Sequence, residues 1–287
     1  MNETIITKEY IKTLVGTRKK DSHKGDNGKG LLIAGSDGFF GAAVMATASA
    51  LRSGIGTLKT ASLNMHRQAF MALSEAMFCA VGESWDDCNI QYIDMLISDA
   101  DVIGFGPGIG KSSGVGVVLE KVIDSKKNIV IDADGLNVLA KSEKLKASLS
   151  NNIVLTPHMG EMSRLSGIKT EELCENPMQA AIFYAKKWQC NILLKGAETF
   201  IASPDGRCMK NISGNAGLAK GGSGDILTGI ILAMMGQKLN PFDAACAGSY
   251  ILGASADNAF DILKERMLMA RDVIEAIEET LTWKQHS

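Results

Sequence analysis

GNAGLAKGGSGDILTG, residues 214–229, places six glycines and a single acid, Asp225, directly before an apolar segment of helix length. Glycine lets the backbone approach a ligand closely, and a helix start exposes unpaired N–H groups at the positive end of its dipole. This combination predicts an anion cradle, most often for phosphate. Because an acid would repel a bound phosphate, Asp225 suits a group that takes a proton from a neighbouring hydroxyl. Alternatively Asp225 caps the helix and the glycines make a turn, but six glycines beside the acid favour the anion site.

Upstream of this segment, short apolar strands alternate with helices. The predicted strands lie at 31–34, 57–61, 101–106, 129–131, 153–155 and 192–194, followed by a hairpin from 199–202 to 208–212. Predicted helices that end at 235 and span 242–260 and 271–283 close the chain. The alternation predicts an α/β fold in which a mostly parallel sheet is covered by helices on both faces. Since ligands bind at the carboxyl ends of such strands, we expect the polar loops there to form one site.

The composition is that of an ordinary soluble globular protein, with 46% hydrophobic and 22% charged residues. A net charge of −2 provides no basic field for nucleic acid or an acidic membrane surface. We find no signal-peptide layout and no uncharged apolar run of membrane-spanning length. Six scattered cysteines without a CxxC pair predict reduced thiols in a cytoplasm, not disulfides or a zinc site. We expect a single domain over 1–287, in which 1–21 form an N-terminal extension.

Three common site motifs are absent. No GxxxxGK[ST] occurs, which excludes a Walker P-loop, and GFGPGIG at 104–110 lacks the GxGxxG spacing of a Rossmann dinucleotide site. There is no GxSxG nucleophile elbow, which argues against an α/β-hydrolase. The remaining polar groups suit phosphate and hydroxyl chemistry.

Five polar residues that follow predicted strands each have a functional and a structural interpretation. Lys195 provides a point charge for a phosphate or is a surface lysine. Glu161 acts on Mg²⁺ through water or complements a helix dipole, and His158 hydrogen-bonds a substrate or is structural. Asp132 and Asp134 hold a metal or substrate, or they are turn and cap acids, the interpretation favoured for Asp134.

Six motifs in a fixed order support a resemblance to a known family. They are KGDNGKGLLIAGSDGFFGAA, GFGPGIG, VIDADGLN, VLTPHMGE, LLKGAETF and GNAGLAKGGSGDILTG, within residues 22–260. The chain closely resembles the ADP- or ATP-dependent NAD(P)H-hydrate dehydratases of the ribokinase-like superfamily. The resemblance implies a ribokinase-like layered sandwich. It also implies a lyase of nicotinamide cofactor repair, which returns hydrated NADH or NADPH (NADHX or NADPHX) to the intact dinucleotide while consuming ADP or ATP.

The implied chemistry agrees with the residues. The hydroxyl of the hydrated ring is a poor leaving group; phosphoryl transfer makes it a good one, and loss of phosphate restores the ring double bond. By resemblance, Asp225 activates the hydroxyl, and Glu161 is associated with Mg²⁺ through water. The resemblance assigns the other positions to an anion hole (Gly222, Ser223, Gly224), a nucleotide site (Lys195, Gly196, Ala197, Glu198, Thr199, Gly224) and a site for NADHX or NADPHX (Ala42, Gly108, His158, Asp225).

The family pattern also implies partners. Two positions depart from the family pattern: Ala34 stands where many members have glycine, and Gly135 where many have alanine. Both replace one small residue by another, so the resemblance holds. Many bacterial members carry an amino-terminal epimerase domain, whereas about twenty residues precede the first motif here, so we expect a separate NAD(P)H-hydrate epimerase. Stand-alone members are similar to ADP users, which favours ADP over ATP. A homo-oligomer, specifically a tetramer, is expected on the same basis.

Two other functions remain open. A hydroxyl kinase of the same superfamily, acting on a vitamin precursor, shares the glycine-rich loop and Asp225 but is not expected to carry TPHMGE and GPGIG in this form. A non-catalytic nucleotide-binding regulator is disfavoured because it has no need of Asp225 as a base.

Overall fold

The computed structural model describes residues 4–16, 18, 21–263 and 266–282, with side chains for all of these except 261–263. Its strands are β1 Thr4–Ile5, β2 Lys29–Ile33, β3 Thr57–Ser62, β4 Met77–Ala80, β5 Val102–Phe105, β6 Asn128–Ile131, β7 Ile153–Leu155, β8 Asn191–Leu194, β9 Thr199–Ala202 and β10 Cys208–Asn211. Its helices are α1 Lys8–Val15, α2 Phe40–Arg52, α3 Ile90–Asp99, α4 Ser113–Asp124, α5 Asp134–Leu139, α6 Glu143–Ala147, α7 Met159–Ser166, α8 Thr170–Glu175, α9 Pro177–Trp188, α10 Ser223–Gly236, α11 Pro241–Leu263 and α12 Ala270–Thr282. Short 3₁₀ helices span Lys24–Asn27, Asn64–Phe70 and Ala216–Leu218.

The ten strands of the described residues form one sheet in the order β1-β10-β9-β8-β7-β6-β5-β2-β3-β4. From β4 to β8 in this order, every neighbouring pair is parallel. The hairpin of β9 and β10 adds two antiparallel pairings, and β1 runs parallel to β10 at the edge. The mostly parallel sheet and the hairpin predicted from the sequence are therefore confirmed.

Alternate side chains of each central strand enter two hydrophobic cores on opposite faces of the sheet. In β2, Leu31 and Ile33 join one core while Leu32 joins the other. In β6, Ile129 and Ile131 likewise join the first core while Val130 joins the second. Helices α3 to α9 supply the first core, and α1, α2, α10, α11 and α12 supply the second. Because both faces are buried, the strands appear in the sequence as continuous apolar runs.

Small residues bring α2 and α10 unusually close together. A side-chain carbon added at Gly229 of α10 would overlap Ser49 Oγ and the Ala46 carbonyl oxygen of α2. A carbon added at Gly248 of α11 would lie 2.5 Å from Ile231 Cγ1 of α10. The small-residue helices therefore pack against α10 within the subunit, which places the start of α10 at a fixed position over the sheet.

We expect Gly229→Ala to lower the free energy of unfolding by about 2–3 kcal/mol, because the new methyl group forces α2 and α10 apart. Denaturant titration followed by circular dichroism measures this change. Gly41→Ala is the matched control, since a carbon added at Gly41 meets no atom within 4 Å. Equal stability of the two variants would show that the α2–α10 contact is not tight in solution.

Several short elements were not predicted from the sequence. The strand β1 has only two residues, which is too short for a hydrophobic period to be recognised, and β4 is an edge strand with only Cys79 buried, unlike the fully buried central strands that were predicted. Helices α8 and α9 were not predicted either. The predicted helix 271–283 is observed as α12, and its last position, 283, lies outside the described residues.

Part of the predicted N-terminal extension belongs to the main body of the fold. β1 pairs with β10, and Ile11 of α1 is fully buried in the core beside α11. The Tyr10 hydroxyl donates to Asp243 Oδ1 at 3.1 Å, which ties α1 to the first turn of α11. Within the described ranges, no helix combines the length and apolar character that a membrane crossing requires.

Candidate active site

Loops at the carboxyl ends of the central strands are joined to one another by backbone hydrogen bonds. Gly35 N–H after β2 donates to the Pro107 carbonyl after β5 at 2.9 Å. Lys195 N–H after β8 donates to the Pro157 carbonyl after β7 at 2.8 Å, and Lys195 forms an isolated parallel bridge with His158. The predicted convergence of these loops is therefore observed.

An ion pair between the buried Asp132 and the half-buried Lys195 lies at the centre of this edge. Lys195 Nζ lies 2.8 Å from Asp132 Oδ1 and 3.8 Å from Glu161 Oε2. The second oxygen, Asp132 Oδ2, accepts a hydrogen bond from Thr228 Oγ1 of α10 at 3.2 Å. Asp132 is 1% exposed and thus holds Lys195 in place with both oxygens occupied. Thr228 lies within an apolar helical run, so its contact with Asp132 was not predicted from the sequence.

The glycine-rich loop meets this ion pair at the start of α10. A carbon added at Gly224 would lie 3.0 Å from Asp132 Oδ2 and 3.4 Å from Lys195 Nζ, so only a glycine leaves this space free. Gly222, at φ +103, precedes the helix and offers no side chain to cap it. The first N–H groups of α10, from Ser223 onwards, thus remain available to an anion beside Lys195.

Asp225 lies in the first turn of α10 and is half-buried. Burial and, to a smaller extent, the negative charge of Asp132 raise the pKa of its carboxyl group to about 7, against the opposing effect of Lys195. A carboxylate with a pKa near 7 is matched to proton transfer at neutral pH. The geometry therefore fits the predicted role of a proton acceptor.

His158 and Glu161 form a reciprocal cap at the start of α7. His158 Nδ1 accepts the N–H groups of Gly160 at 3.0 Å and Glu161 at 3.3 Å, while Glu161 Oε2 accepts the His158 N–H at 2.9 Å. Because Nδ1 is an acceptor, the proton of the neutral ring lies on Nε2. Burial and the positive charge of Lys195 lower the pKa of His158, which maintains the neutral form. Nε2 remains a donor for a substrate, so the functional and structural interpretations are compatible.

Burial raises the pKa of Glu161 to about 7, with Lys195 opposing this effect. Within the described residues, no three His, Cys, Asp or Glu side chains cluster in a way that could hold a metal ion. The Glu161 and Asp132 oxygens already contact Lys195, Thr228 or the backbone. These residues do not fit a metal held by protein ligands alone. They fit a hydrated Mg²⁺ bound mainly by nucleotide phosphates, since Mg²⁺ retains water and takes few carboxylates.

Asp134 has a structural environment. Its carboxylate accepts the Gly110 N–H at 3.2 Å and the Asn137 side-chain amide at 3.1 Å, and it lies 3.5 Å from Lys111 Nζ. It thereby fixes the loop after β5, in line with the cap interpretation favoured from the sequence. Between the two acids, Ala133 has φ +51 and ψ −121, a conformation that costs about 1–3 kcal/mol in a residue with a side chain.

A cavity of about 570 Å³ opens beside Lys195 and the start of α10. Six of the residues that the resemblance assigns to nucleotide or anion binding line it: Lys195, Gly196, Ala197, Thr199, Ser223 and Gly224. Glu198 does not line this cavity; its carboxylate pairs with Lys210 at 2.7 Å. The opposite wall is the loop from Ser213 to Ala219, which Asp257 holds by accepting Gly214 N–H and Asn215 Nδ2, both at 2.9 Å. Asp257 was not singled out from the sequence.

Ala42 and Gly108 lie side by side at the other end of the site. A carbon added at Gly108, at φ +58, would lie 3.0 Å from Ala42 Cβ and 2.5 Å from the Phe39 carbonyl oxygen. One helical turn further along α2, Met45 contacts Gly222: a carbon added there would lie 2.7 Å from Met45 Sδ. One face of α2 therefore connects the predicted substrate residues with the glycine-rich loop.

Comparisons with known proteins agree with this geometry. A family model described as NAD(P)H-hydrate dehydratase matches residues 30–279. The chain is 33% identical to the ADP-dependent (S)-NAD(P)H-hydrate dehydratase of Bacillus subtilis, over 99% of each chain. It is 36% identical to the bifunctional NAD(P)H-hydrate repair enzyme of Moorella thermoacetica, covering 98% of this chain and 54% of that one. The chain thus spans about half the length of the bifunctional relatives that it matches.

Solved structures extend the likeness to the fold. The crystal structure of the Bacillus subtilis ADP/ATP-dependent NAD(P)H-hydrate dehydratase, co-crystallized with ATP/Mg²⁺, matches with a TM-score of 0.85 at 32% identity and covers 98% of this chain and 99% of that one. A ribokinase-like superfamily protein from Enterococcus faecalis shares the fold, with a TM-score of 0.85 at 23% identity over 98% of this chain and 95% of that one. The chain therefore belongs to the NAD(P)H-hydrate dehydratase family and has the ribokinase-like α/β fold.

Proposed function

We propose that this protein dehydrates NADHX and NADPHX to NADH and NADPH and consumes ADP, which it converts to AMP and phosphate. The observation that carries the proposal is the arrangement at the start of α10. There an uncapped helix end, the Lys195–Asp132 pair and an acid with a pKa of about 7, Asp225, come together. Such a site stabilises a transferring phosphoryl group by charge and position and accepts a proton from the attacking hydroxyl.

In the first step, the ring hydroxyl of the hydrate attacks the terminal phosphorus of ADP. The new O–P bond forms as the bond to the bridging oxygen breaks, AMP leaves, and Asp225 takes the hydroxyl proton. Lys195 and the N–H groups of Ser223 and Gly224 hold the oxygens of the transferring group, where negative charge accumulates. The N-terminal end of α10 contributes its partial positive charge.

In the second step, the ring C–O bond breaks and its electron pair leaves with the phosphate. The lone pair of the ring nitrogen stabilises the positive charge that develops on this carbon. Loss of a proton from the adjacent carbon then restores the double bond. The protein must orient the ring and keep water out, which we assign to Ala42 and Gly108 beside each other at α2 and to His158 at the start of α7. Burial of the cluster around Asp132 supports such an enclosed site.

ADP is placed in the 570 Å³ cavity, because this cavity leads directly to Lys195 and Gly224. Magnesium bound to the nucleotide neutralises charge on the phosphate oxygens. Glu161, through water, is the residue that we assign to it, since it is the buried carboxylate beside Lys195 that also lies next to His158. The relatives from Bacillus subtilis and Neisseria meningitidis are named ADP-dependent, which supports ADP, while the Bacillus subtilis crystal structure is described as ADP/ATP-dependent, which keeps ATP as the alternative donor.

We further propose a cytoplasmic homo-oligomer, specifically a tetramer. The cysteines of the described residues form no disulfide, as in a reducing compartment. Exposed methionines at 77 and 269 line a wide, mostly apolar groove between α2, α12 and the edge strand β4, a surface suited to a second copy of the chain. Light scattering coupled to size-exclusion chromatography tests the assembly; a monomer at micromolar concentration would refute it.

The function is tested by mixing purified protein with NADHX, Mg²⁺ and either ADP or ATP. We expect the absorbance of the reduced nicotinamide to return only when nucleotide is present, with AMP released from ADP. The better nucleotide identifies the phosphoryl donor. A stable phosphorylated product from a vitamin-precursor alcohol would instead indicate the kinase, and nucleotide binding without turnover would indicate a regulator.

The pKa of Asp225 predicts how the rate depends on pH. The base must be ionised to accept the hydroxyl proton, so we expect kcat/KM to fall about tenfold per pH unit below pH 7 and to level off above it. The check is the initial rate of AMP release between pH 5.5 and 8.5. A rate that is constant across this range would exclude Asp225 as the base in the free enzyme.

A further inference from the structure

Two adjacent phenylalanines open α2 beside the proposed substrate site, and both are exposed. The Phe39 side chain is 64% exposed and Phe40 is 45% exposed. Phe40 has a partner, since its ring centroid lies 5.8 Å from that of the buried His66. Among the described residues, no ring or cation lies against Phe39. An unpartnered exposed ring at a binding site offers a stacking surface.

The backbone that carries Phe39 is held firmly. The Trp85 indole N–H donates to the Gly35 carbonyl at 2.8 Å, and Ser36 Oγ donates to the Gly108 carbonyl at 2.8 Å. Phe39 N–H in turn donates to the Ser36 carbonyl at 2.8 Å. The turn is therefore fixed to the loop after β5, and the ring can receive a ligand without ordering the backbone first.

Phe39 lies where it can contact the end of the substrate that is distant from the reacting ring. Along α2, Met45 contacts Gly222, Ala42 contacts Gly108, and Phe39 follows at the outer rim. Met45 is six positions along the chain from Phe39, the N-cap of α2, which corresponds to about 9 Å along the helix axis. A substrate whose reacting ring lies at Asp225 would thus reach Phe39 with a part beyond that ring.

The chemistry of the substrate identifies this part. The dihydronicotinamide ring of NADH is already non-aromatic, and hydration saturates one more of its double bonds, so the flat aromatic ring of NADHX is its adenine. We propose that Phe39 is a specificity-determining residue that stacks on the adenine of the hydrated dinucleotide. The inference rests on the proposed function. It places the two adenines in different sites: the adenine of ADP in the cavity beside Lys195, and the adenine of the substrate at Phe39.

Steady-state kinetics of Phe39→Ala test this inference. We expect KM for NADHX to rise about tenfold, within the range for loss of a base–aromatic stack, while kcat and KM for ADP stay within twofold. Phe39→Trp should retain the wild-type KM and Phe39→Leu should not, because stacking needs a planar ring. Phe183→Ala is the matched control, since Phe183 is 57% exposed on α9 and contacts Tyr184.

A substrate without adenine separates the alternatives. With hydrated reduced nicotinamide mononucleotide, wild type and Phe39→Ala should have equal KM values. A KM difference that persists with the mononucleotide, or a changed KM for ADP, overturns the assignment to the substrate adenine. A lower oligomer mass for Phe39→Ala assigns the ring to a subunit contact and overturns it as well. An inactive wild type refutes the proposed function, whereas an active wild type with an unchanged Phe39→Ala refutes this inference alone.

Discussion

Asp225→Asn is expected to lower kcat by about 10³-fold or more while ADP still binds with an affinity within about threefold of wild type. The amide keeps the size of the side chain and its place in the first turn of α10, but it cannot accept the hydroxyl proton. ADP makes its proposed contacts with Lys195 and the helix N–H groups, which the substitution leaves in place. Rate measurements with NADHX and calorimetric titration with ADP separate these two effects.

The matched control for this variant is Asp94→Asn, which removes a surface acid paired with Lys121 at 2.8 Å. It should leave both activity and ADP binding unchanged. Loss of both properties in Asp225→Asn would mean that Asp225 maintains the site structurally. Retention of both would mean that another group accepts the proton.

The same variant should be more stable than wild type at high pH. Folding raises the pKa of Asp225 to about 7, so the folded state favours the neutral acid, and its contribution to stability is lost as the pH rises towards 7. Asparagine cannot ionise and avoids this loss. We expect a gain of roughly 2–4 kcal/mol at pH 8 and almost none at pH 4, measured by denaturant titration at both pH values. Equal gains at both pH values would indicate improved packing, not loss of a buried charge.

The central strands and the glycine-rich loop could be predicted because their signals are local. Six consecutive apolar runs and the glycines before Asp225 are visible without knowledge of distant contacts. β1 and β4 could not be predicted in this way, since they are the two edge strands of the sheet, are more exposed than the central strands, and depend on pairing with β10 and β3.

The different roles of Asp132, which pairs with Lys195, and Asp134, which fixes the loop at Gly110, could not be predicted from the sequence. Both acids follow the same strand, and only the left-handed Ala133 between them directs one to Lys195 and the other to Gly110. The contacts of Asp132 reach across 63 residues to Lys195 and 96 residues to Thr228. Contacts between residues so far apart along the chain leave no pattern in a single sequence. For the same reason Asp257, which contacts Gly214 across 43 residues, was not identified.

Lys195→Met and Asp132→Asn should shift the pKa of Asp225 in opposite directions, and together they test the charge arrangement around this residue. Lys195 lowers the pKa of Asp225, so its removal should move the acidic limb of the rate profile to higher pH. Asp132 raises that pKa, so Asp132→Asn should move the limb to lower pH. The pH dependence of AMP release measures both shifts. Limbs that move in the same direction would refute the assignment of the limb to Asp225.

The two variants should also differ in rate at pH 8. Lys195→Met removes the cation that we place on the transferring phosphoryl group, and kcat/KM for ADP should fall by roughly 10²–10³, the cost of one such transition-state contact. Asp132→Asn should cost about tenfold, because an amide oxygen still orients Lys195 but holds it less firmly than a carboxylate. Lys121→Met, on the surface, is the control. If Lys195→Met retained the wild-type KM for ADP and the wild-type kcat, the lysine would serve only to neutralise Asp132 and Glu161, and the phosphate would have to be held by the start of α10 alone.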